Sequence, residues 1–253
     1  MFPIINFLGY GISLYQIFLI LSVVIYVLVL AIFINKSKLQ DIDFYFYISL
    51  IFIFGFTGAK MFYMMEDFPN SFSLNHFFNL KKGYVLYGGV FLVFLTTFLY
   101  SKFSNINPYV LLDINVIAMS FSLFIGKIAC LMAGCCYGKP TNLETIGLVY
   151  TSDYCIAFPK NEPLFPIQII DSLFGLILFV SLLYFKRKLK VGYSFFVFMI
   201  VYPIYRFFSE FYRADESRGF VFDGLFSLSQ FYSLILISFT VLFLLFFRKK
   251  IFV

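Results

Sequence analysis

Hydrophobic positions in this chain do not alternate with polar ones at short spacing; they run on in long blocks. A block that crosses about 30 Å of hydrocarbon as a helix needs about 20 residues. Seven blocks reach or approach that length: Leu14–Ile34, Phe44–Met65, Tyr84–Tyr100, Tyr109–Met132, Pro166–Phe185, Gly192–Tyr212 and Leu225–Phe247. The third is the shortest and contains Gly88-Gly89, which predicts a broken or tilted segment there. The first run is long and follows no basic segment, the pattern of a span rather than of a cleaved signal peptide. Without an internal repeat, low-complexity tract or linker, residues 1–253 are expected to form a single transmembrane domain. The expected class is all-α, a polytopic integral membrane protein with seven transmembrane helices.

Composition narrows the function classes. Of the 253 residues, 62% are hydrophobic and 13% charged, against about 45–50% and about 25% in a soluble domain. One core of this size could not bury so much apolar surface, which excludes a soluble enzyme, a nucleic-acid module and a disordered chain. The net charge of +6 has to be read loop by loop. Ten of the 19 Lys and Arg, among them Lys36, Lys102, Lys186, Arg187 and Arg248, fall on one side, six on the other and three within spans. The ten-residue side is expected to be cytoplasmic, with the N-terminus outside and the C-terminus cytoplasmic. The basic excess then signals topology and anionic lipid headgroups, not nucleic acid. The longest loops, about 66–83, 135–165 and 213–224, fall on the outer side, so the chemistry is expected to face outward.

Charged side chains inside spans mark function more often than not. The sixth span holds Tyr202, Arg206, Glu210 and Arg213, whose spacing of 4, 4 and 3 predicts one helical face, with a kink at Pro203. Either Arg206 and Glu210 merely neutralise one another, or the face lines a pocket for an anion such as a lipid phosphate; the alignment of Tyr202 and Arg213 with them favours the pocket. Lys60 in the second span and Lys127 in the fourth add two more buried cations, although each is also placed to snorkel to an interface. Asp113 is expected to cap the fourth helix. Asp171, with Gln168 just before it, is placed to pair with a cation.

The densest segment is Gly126–Thr141, GKIACLMAGCCYGKPT. Gly126, Gly134 and Gly138 permit close backbone approach and an exit from the helix. Cys130, Cys135 and Cys136 cluster there, and Cys155 follows in the same loop. Thiols packed as small apolar residues, a disulfide from Cys155 to Cys135 or Cys136, and reactive-thiol chemistry all remain open. Cys-x4-Cys-Cys is not a usual zinc spacing, and the only His, His76, lies elsewhere and reads as a loop residue. No metal ion and no cofactor is therefore expected.

Seven spans, Gly88-Gly89 in the third, Gly126 and Lys127 followed by Gly134 and Gly138, and Arg206-x-x-x-Glu210-Phe211-x-Arg213 together resemble the prolipoprotein diacylglyceryl transferases. The string Ala133-Gly134-Cys135-Cys136-Tyr137-Gly138 resembles a divergent cysteine-containing branch of that family. The resemblance implies a multi-pass enzyme of the bacterial cytoplasmic (inner) membrane. Such an enzyme moves the sn-1,2-diacylglyceryl group of phosphatidylglycerol, or of another anionic phospholipid, to the lipobox cysteine of an exported prolipoprotein. It further implies that Arg206 and Lys127 take the phosphate, that Glu210 orients Arg206, and that Gly88 and Gly89 let the headgroup approach. Lys60, Tyr202, Arg213, Gly126, Gly134 and Gly138 would complete the substrate site. Several positions depart from the family pattern. Tyr87 stands where typical members have His before Gly-Gly, and Lys127 and Lys60 stand for Arg. Cys130 and Ala133 stand for Asn, and Cys135 for Glu. Two alternatives follow: a related lipid-headgroup transferase with another acceptor, or a non-catalytic protein that binds phospholipid or a lipoprotein.

Overall fold

The computed structural model describes residues 4–7, 10–37, 43–66, 77–78, 83–142, 145–214, 219–221 and 224–251. His76, Lys81, Lys82 and most of the 66–83 loop lie outside the described residues. Seven long helices account for most of the chain: α1 Leu14–Lys36, α2 Phe44–Glu66, α3 Leu86–Phe103, α4 Pro108–Ala133, α5 Ile167–Lys188, α6 Tyr193–Ser209 and α7 Leu228–Ile251. All seven blocks expected from the sequence are long and apolar enough to cross a membrane. In hydrocarbon a helix satisfies its backbone polar groups internally, so these runs need no partner strand. Their uncovered faces carry Ile20, Ile53, Phe91 and Phe246, side chains suited to acyl chains. The chain is a multi-pass membrane protein.

Short antiparallel ribbons not anticipated from the hydropathy pattern precede α1, follow α4 and follow α6. β1 (Ile4–Phe7) pairs with β2 (Tyr10–Ser13), β3 (Leu148–Val149) with β4 (Pro163–Leu164), and β5 (Phe220–Val221) with β6 (Phe226–Ser227). Two to four residues are too few to register as alternation in a sequence so rich in apolar residues.

The chain forms two compact units, one of residues 31–114 and the other of residues 1–30 and 115–253. In the first, α2 and α3 pack together through glycine. A Cβ at Gly58 would lie 2.3 Å from the Gly88 carbonyl oxygen, and one at Gly88 would lie 2.3 Å from the Gly58 oxygen. The backbones are close enough for the Val85 N–H to donate to the Ala59 carbonyl at 3.0 Å. Small residues allow such an approach between membrane helices. The third span is thus one continuous helix rather than a broken one, and its glycines face α2. Gly88→Ala is expected to destabilise by about 1–3 kcal/mol through overpacking. Gly126→Ala, whose Cβ would meet nothing nearer than Ser22 Oγ at 3.5 Å, should be neutral or slightly stabilising. Thermal unfolding of both variants in micelles checks the contrast.

In the second unit, α6 packs against α5 and α7. Gly175 of α5 lies so near α4 that a Cβ would sit 2.8 Å from the Phe124 nitrogen. Beyond α4, the loop folds over a small buried cluster of Tyr150, Cys155, Ala157 and Leu164.

Candidate functional site

The second unit gathers most of its buried charge into one chain of contacts. Asp171, one turn into α5, places Oδ2 2.6 Å from Lys127 Nζ of α4 and 3.4 Å from an Arg213 terminal nitrogen. Its Oδ1 accepts the Tyr205 hydroxyl at 2.6 Å. Glu210 Oε2 lies 2.5 Å from an Arg206 terminal nitrogen and 3.8 Å from Arg213 Nε. Arg206 also donates to Ser209 Oγ at 3.2 Å and to Ser229 Oγ of α7 at 3.1 Å. The order Lys127–Asp171–Arg213–Glu210–Arg206 sets three cations against two carboxylates. Lys127 is the most open member, with 15% of its side chain exposed against 2% for Arg213.

Local folding explains how Arg213 comes to bridge the two acids. Helix α6 ends at Ser209, and Glu210–Tyr212 tighten into a single 3-10 turn. Arg213 is extended (φ −94°, ψ 150°), so it leaves the face shared by Tyr202, Arg206 and Glu210. That corrects the expected single stripe. The segment is then held by the cysteine loop: Gly138 bridges Arg213, the Lys139 N–H donates to the Tyr212 carbonyl at 2.9 Å, and the Ala214 N–H donates to the Tyr137 carbonyl at 3.1 Å. A Cβ at Gly138 would lie 2.3 Å from the Phe165 carbonyl oxygen, which is why this position takes glycine.

The same loop begins with a helix stop that brings thiols together. Gly134 has φ +69°, and the Cys135 N–H reaches back to the Cys130 carbonyl at 3.2 Å. That six-to-one bond is the signature of a Schellman cap. Cys136 follows at φ +55°, which curls the chain further. The Sγ atoms of Cys130, Cys135 and Cys136 consequently all lie within 4.8 Å of one another, the one such group among the described residues able to hold a metal ion. All four cysteines are thiols, and Cys155 packs apart in its apolar cluster. Hydrogen bonding with Cys130 and Cys136, with burial added, pushes the Cys135 thiol up. Thiol hydrogen bonds from Cys130 and Cys135, helped by the charges of Lys127 and Arg213, hold Cys136 well below the usual thiol range. Gln168, fully buried, donates from its amide to the Cys135 carbonyl and the Tyr150 hydroxyl, both at 3.1 Å. Burial pushes the Tyr150 phenol up.

Several expected residues have other surroundings. Tyr202 is buried against Phe198, with ring centroids 5.4 Å apart, and it is Tyr205 that gives its hydroxyl to Asp171. Tyr205 also stacks on Phe174 at 3.7 Å, an apolar setting that hid it among the aromatics of α6. Asp113 lies inside α4, buried, because the helix starts at Pro108; the capping oxygen is Asn107 Oδ1, which accepts the Tyr109 N–H at 3.0 Å. That corrects the expected cap. In the other unit, Lys60 is fully covered, its ammonium 4.8 Å from the Tyr84 ring centroid and 5.5 Å from that of Tyr63. This is cation–π contact rather than snorkelling. Tyr87 is half-buried at the start of α3, and the Cβ positions of Gly88 and Gly89 point into α2.

Comparison with known proteins bears on what this arrangement serves. The family model described as prolipoprotein diacylglyceryl transferase matches residues 3–246. A phosphatidylglycerol–prolipoprotein diacylglyceryl transferase of Clostridium tetani is 34% identical over 203 residues, 79% of each chain. A second such relative, from Clostridium perfringens, is 35% identical over 188 residues, covering 73% of this chain and 71% of the relative. A Staphylococcus epidermidis protein of the same name is 25% identical over 222 residues, covering 85% and 76%. With a match across nearly its whole length, the chain belongs to the prolipoprotein diacylglyceryl transferase family.

Proposed function

We propose that this chain transfers the sn-1,2-diacylglyceryl group of phosphatidylglycerol to the lipobox cysteine of exported prolipoproteins. The observation that carries the reading is the buried network of three cations against two carboxylates on membrane-spanning helices. One positive charge in excess, in apolar surroundings, complements the single negative charge of a phosphodiester head.

In the reaction the acceptor sulfur, as thiolate, bonds to the glyceryl carbon while the bond from that carbon to the phosphate oxygen breaks. The electron pair leaves on glycerol phosphate. Charge therefore builds on the departing phosphate, where Arg206 and Lys127 act as electrostatic stabilisers. Glu210 fixes the guanidinium of Arg206, and Asp171 fixes the ammonium of Lys127. Lys60, Tyr87, Gly88 and Gly89 are the residues that the family resemblance assigns to the lipid, and Tyr87 is suited to hydrogen-bond a phosphate or a thiol; a free phenol titrates near 10, too high for an efficient base at neutral pH. The excess of Lys and Arg in the loops of one side supports an outer N-terminus and a site on the outer face of the bacterial cytoplasmic membrane, where exported precursors arrive.

The test is purified protein in micelles with phosphatidylglycerol and a lipobox peptide. The expected product is a peptide whose mass has risen by one diacylglyceryl group, with equimolar glycerol phosphate. Consumption of the lipid with the peptide unmodified would mean a different acceptor. Lipid binding with neither consumed would mean a scaffold without catalysis.

A further inference from the structure

We infer that Cys130, Cys135 and Cys136 form a three-thiolate zinc site whose fourth coordination position takes the acceptor thiol. The inference rests on the reaction proposed above. Its ground is the mutual approach of three sulfurs within 4.8 Å, built by a helix cap and held from outside by the buried Gln168 amide on the Cys135 carbonyl. Tetrahedral zinc with sulfur at about 2.3 Å sets neighbouring sulfurs about 3.8 Å apart, so side-chain rotation of about 1 Å closes the site. No fourth Cys, His, Asp or Glu joins the group among the described residues. Three protein ligands and one open position are the pattern of catalytic rather than structural zinc.

Charge selects a divalent ion. Three thiolates around Zn2+ carry a single negative charge, whereas a monovalent ion would leave two. Gln168 Oε1, also buried, meets no donor among the described residues and suits an amide N–H of an incoming peptide.

The site supplies what the reaction needs, a thiolate at neutral pH. When the acceptor sulfur takes the fourth position, its proton passes to water. The bound thiolate then forms the sulfur–carbon bond as the carbon–oxygen bond to phosphate breaks, and the neutral thioether leaves the metal. No atom changes oxidation state.

The experiment uses the full chain, reduced, stripped of metal with a chelator and loaded with Co2+ as a spectroscopic stand-in for zinc. One Co2+ per chain with a sulfur-to-metal charge-transfer band is expected. That band should grow by about one third, from three thiolates to four, when a lipobox peptide is added without phospholipid, and stay unchanged with the Cys→Ser peptide. Cys130→Ser, Cys135→Ser and Cys136→Ser should each weaken the band, while Cys155→Ala keeps it. Because Cys135 belongs to the helix cap, the unaltered chain gives a second measurement: Zn2+ should slow alkylation of Cys130, Cys135 and Cys136 together, read by mass spectrometry. A band that survives all three Ser variants, or alkylation indifferent to Zn2+, overturns the site. A band unmoved by the peptide thiol overturns the open position. With phospholipid present, metal-free protein should transfer about 100-fold more slowly than the zinc form. Full activity without metal refutes the zinc proposal and leaves the reaction standing; a normal Co2+ response with no transfer by the zinc form refutes the reaction and leaves the site.

Discussion

Arg206→Ala is expected to reduce thioether formation by about 10²–10³-fold, the usual loss when a preorganised donor to developing negative charge is removed. Arg206 is held from three sides: Glu210 lies at 2.5 Å, Ser209 at 3.2 Å and Ser229 at 3.1 Å. Those contacts come from α6, its 3-10 extension and α7, so the guanidinium does not have to reorganise as the phosphate departs. Arg206→Lys keeps the charge and loses the planar fork, and its activity should fall between parent and Ala. Truncation also leaves Glu210 with Arg213, at 3.8 Å, as its cationic partner among the described residues. The measurement therefore needs the folded fraction of each variant, from its elution profile and melting midpoint, beside the transfer rate. A folded Ala variant that transfers at the parent rate would remove Arg206 from the site.

The spans were legible because a bilayer imposes length, and seven runs of about 20 apolar residues leave few alternatives. Arg206 with Glu210 was legible because helical neighbours at i and i+4 meet wherever the helix persists. Arg213 was only half legible. Its charge was evident, but periodicity cannot see that the helix tightens after Ser209 and turns the residue toward Asp171. Asp171 itself, the residue joining three elements, has polar partners 34 to 44 positions away, and no local spacing encodes that. The three thiols show the opposite case. Zinc spacing rules describe paired ligands on a knuckle, and Cys-x4-Cys-Cys fails them. A glycine four residues after Cys130, in the left-handed region, nonetheless returns Cys135 to it. The clue was Gly134, read as a cap rather than as a flexible point. Gly88 and Gly89 were conspicuous in the sequence, but not their part in helix packing: α2 occupies the space a side chain would need.

Asp171→Ala is the change expected to unsettle the protein most, by about 3–5 kcal/mol, because it leaves buried cations without their shared carboxylate. Lys127 at 2.6 Å and Arg213 at 3.4 Å both lean on one oxygen, while the other holds Tyr205. Arg213 keeps Glu210 at 3.8 Å, but Lys127, only 15% exposed, has no other acidic partner among the described residues. Most of the loss should therefore be Lys127's, and a double-mutant cycle separates it. If Asp171→Ala destabilises chiefly through Lys127, adding Lys127→Met restores much of the stability, because a buried pair replaced by apolar groups of similar volume is often neutral. Unfolding of the four proteins in micelles gives the coupling energy. Costs that simply add would show that Asp171 works through Arg213 and Tyr205 instead. Activity should not follow stability in this cycle. The double variant regains its fold but has lost the Lys127 ammonium, so its transfer rate stays low. A double variant that recovers transfer along with stability would reduce Lys127 to a structural counter-ion and leave the phosphate to Arg206.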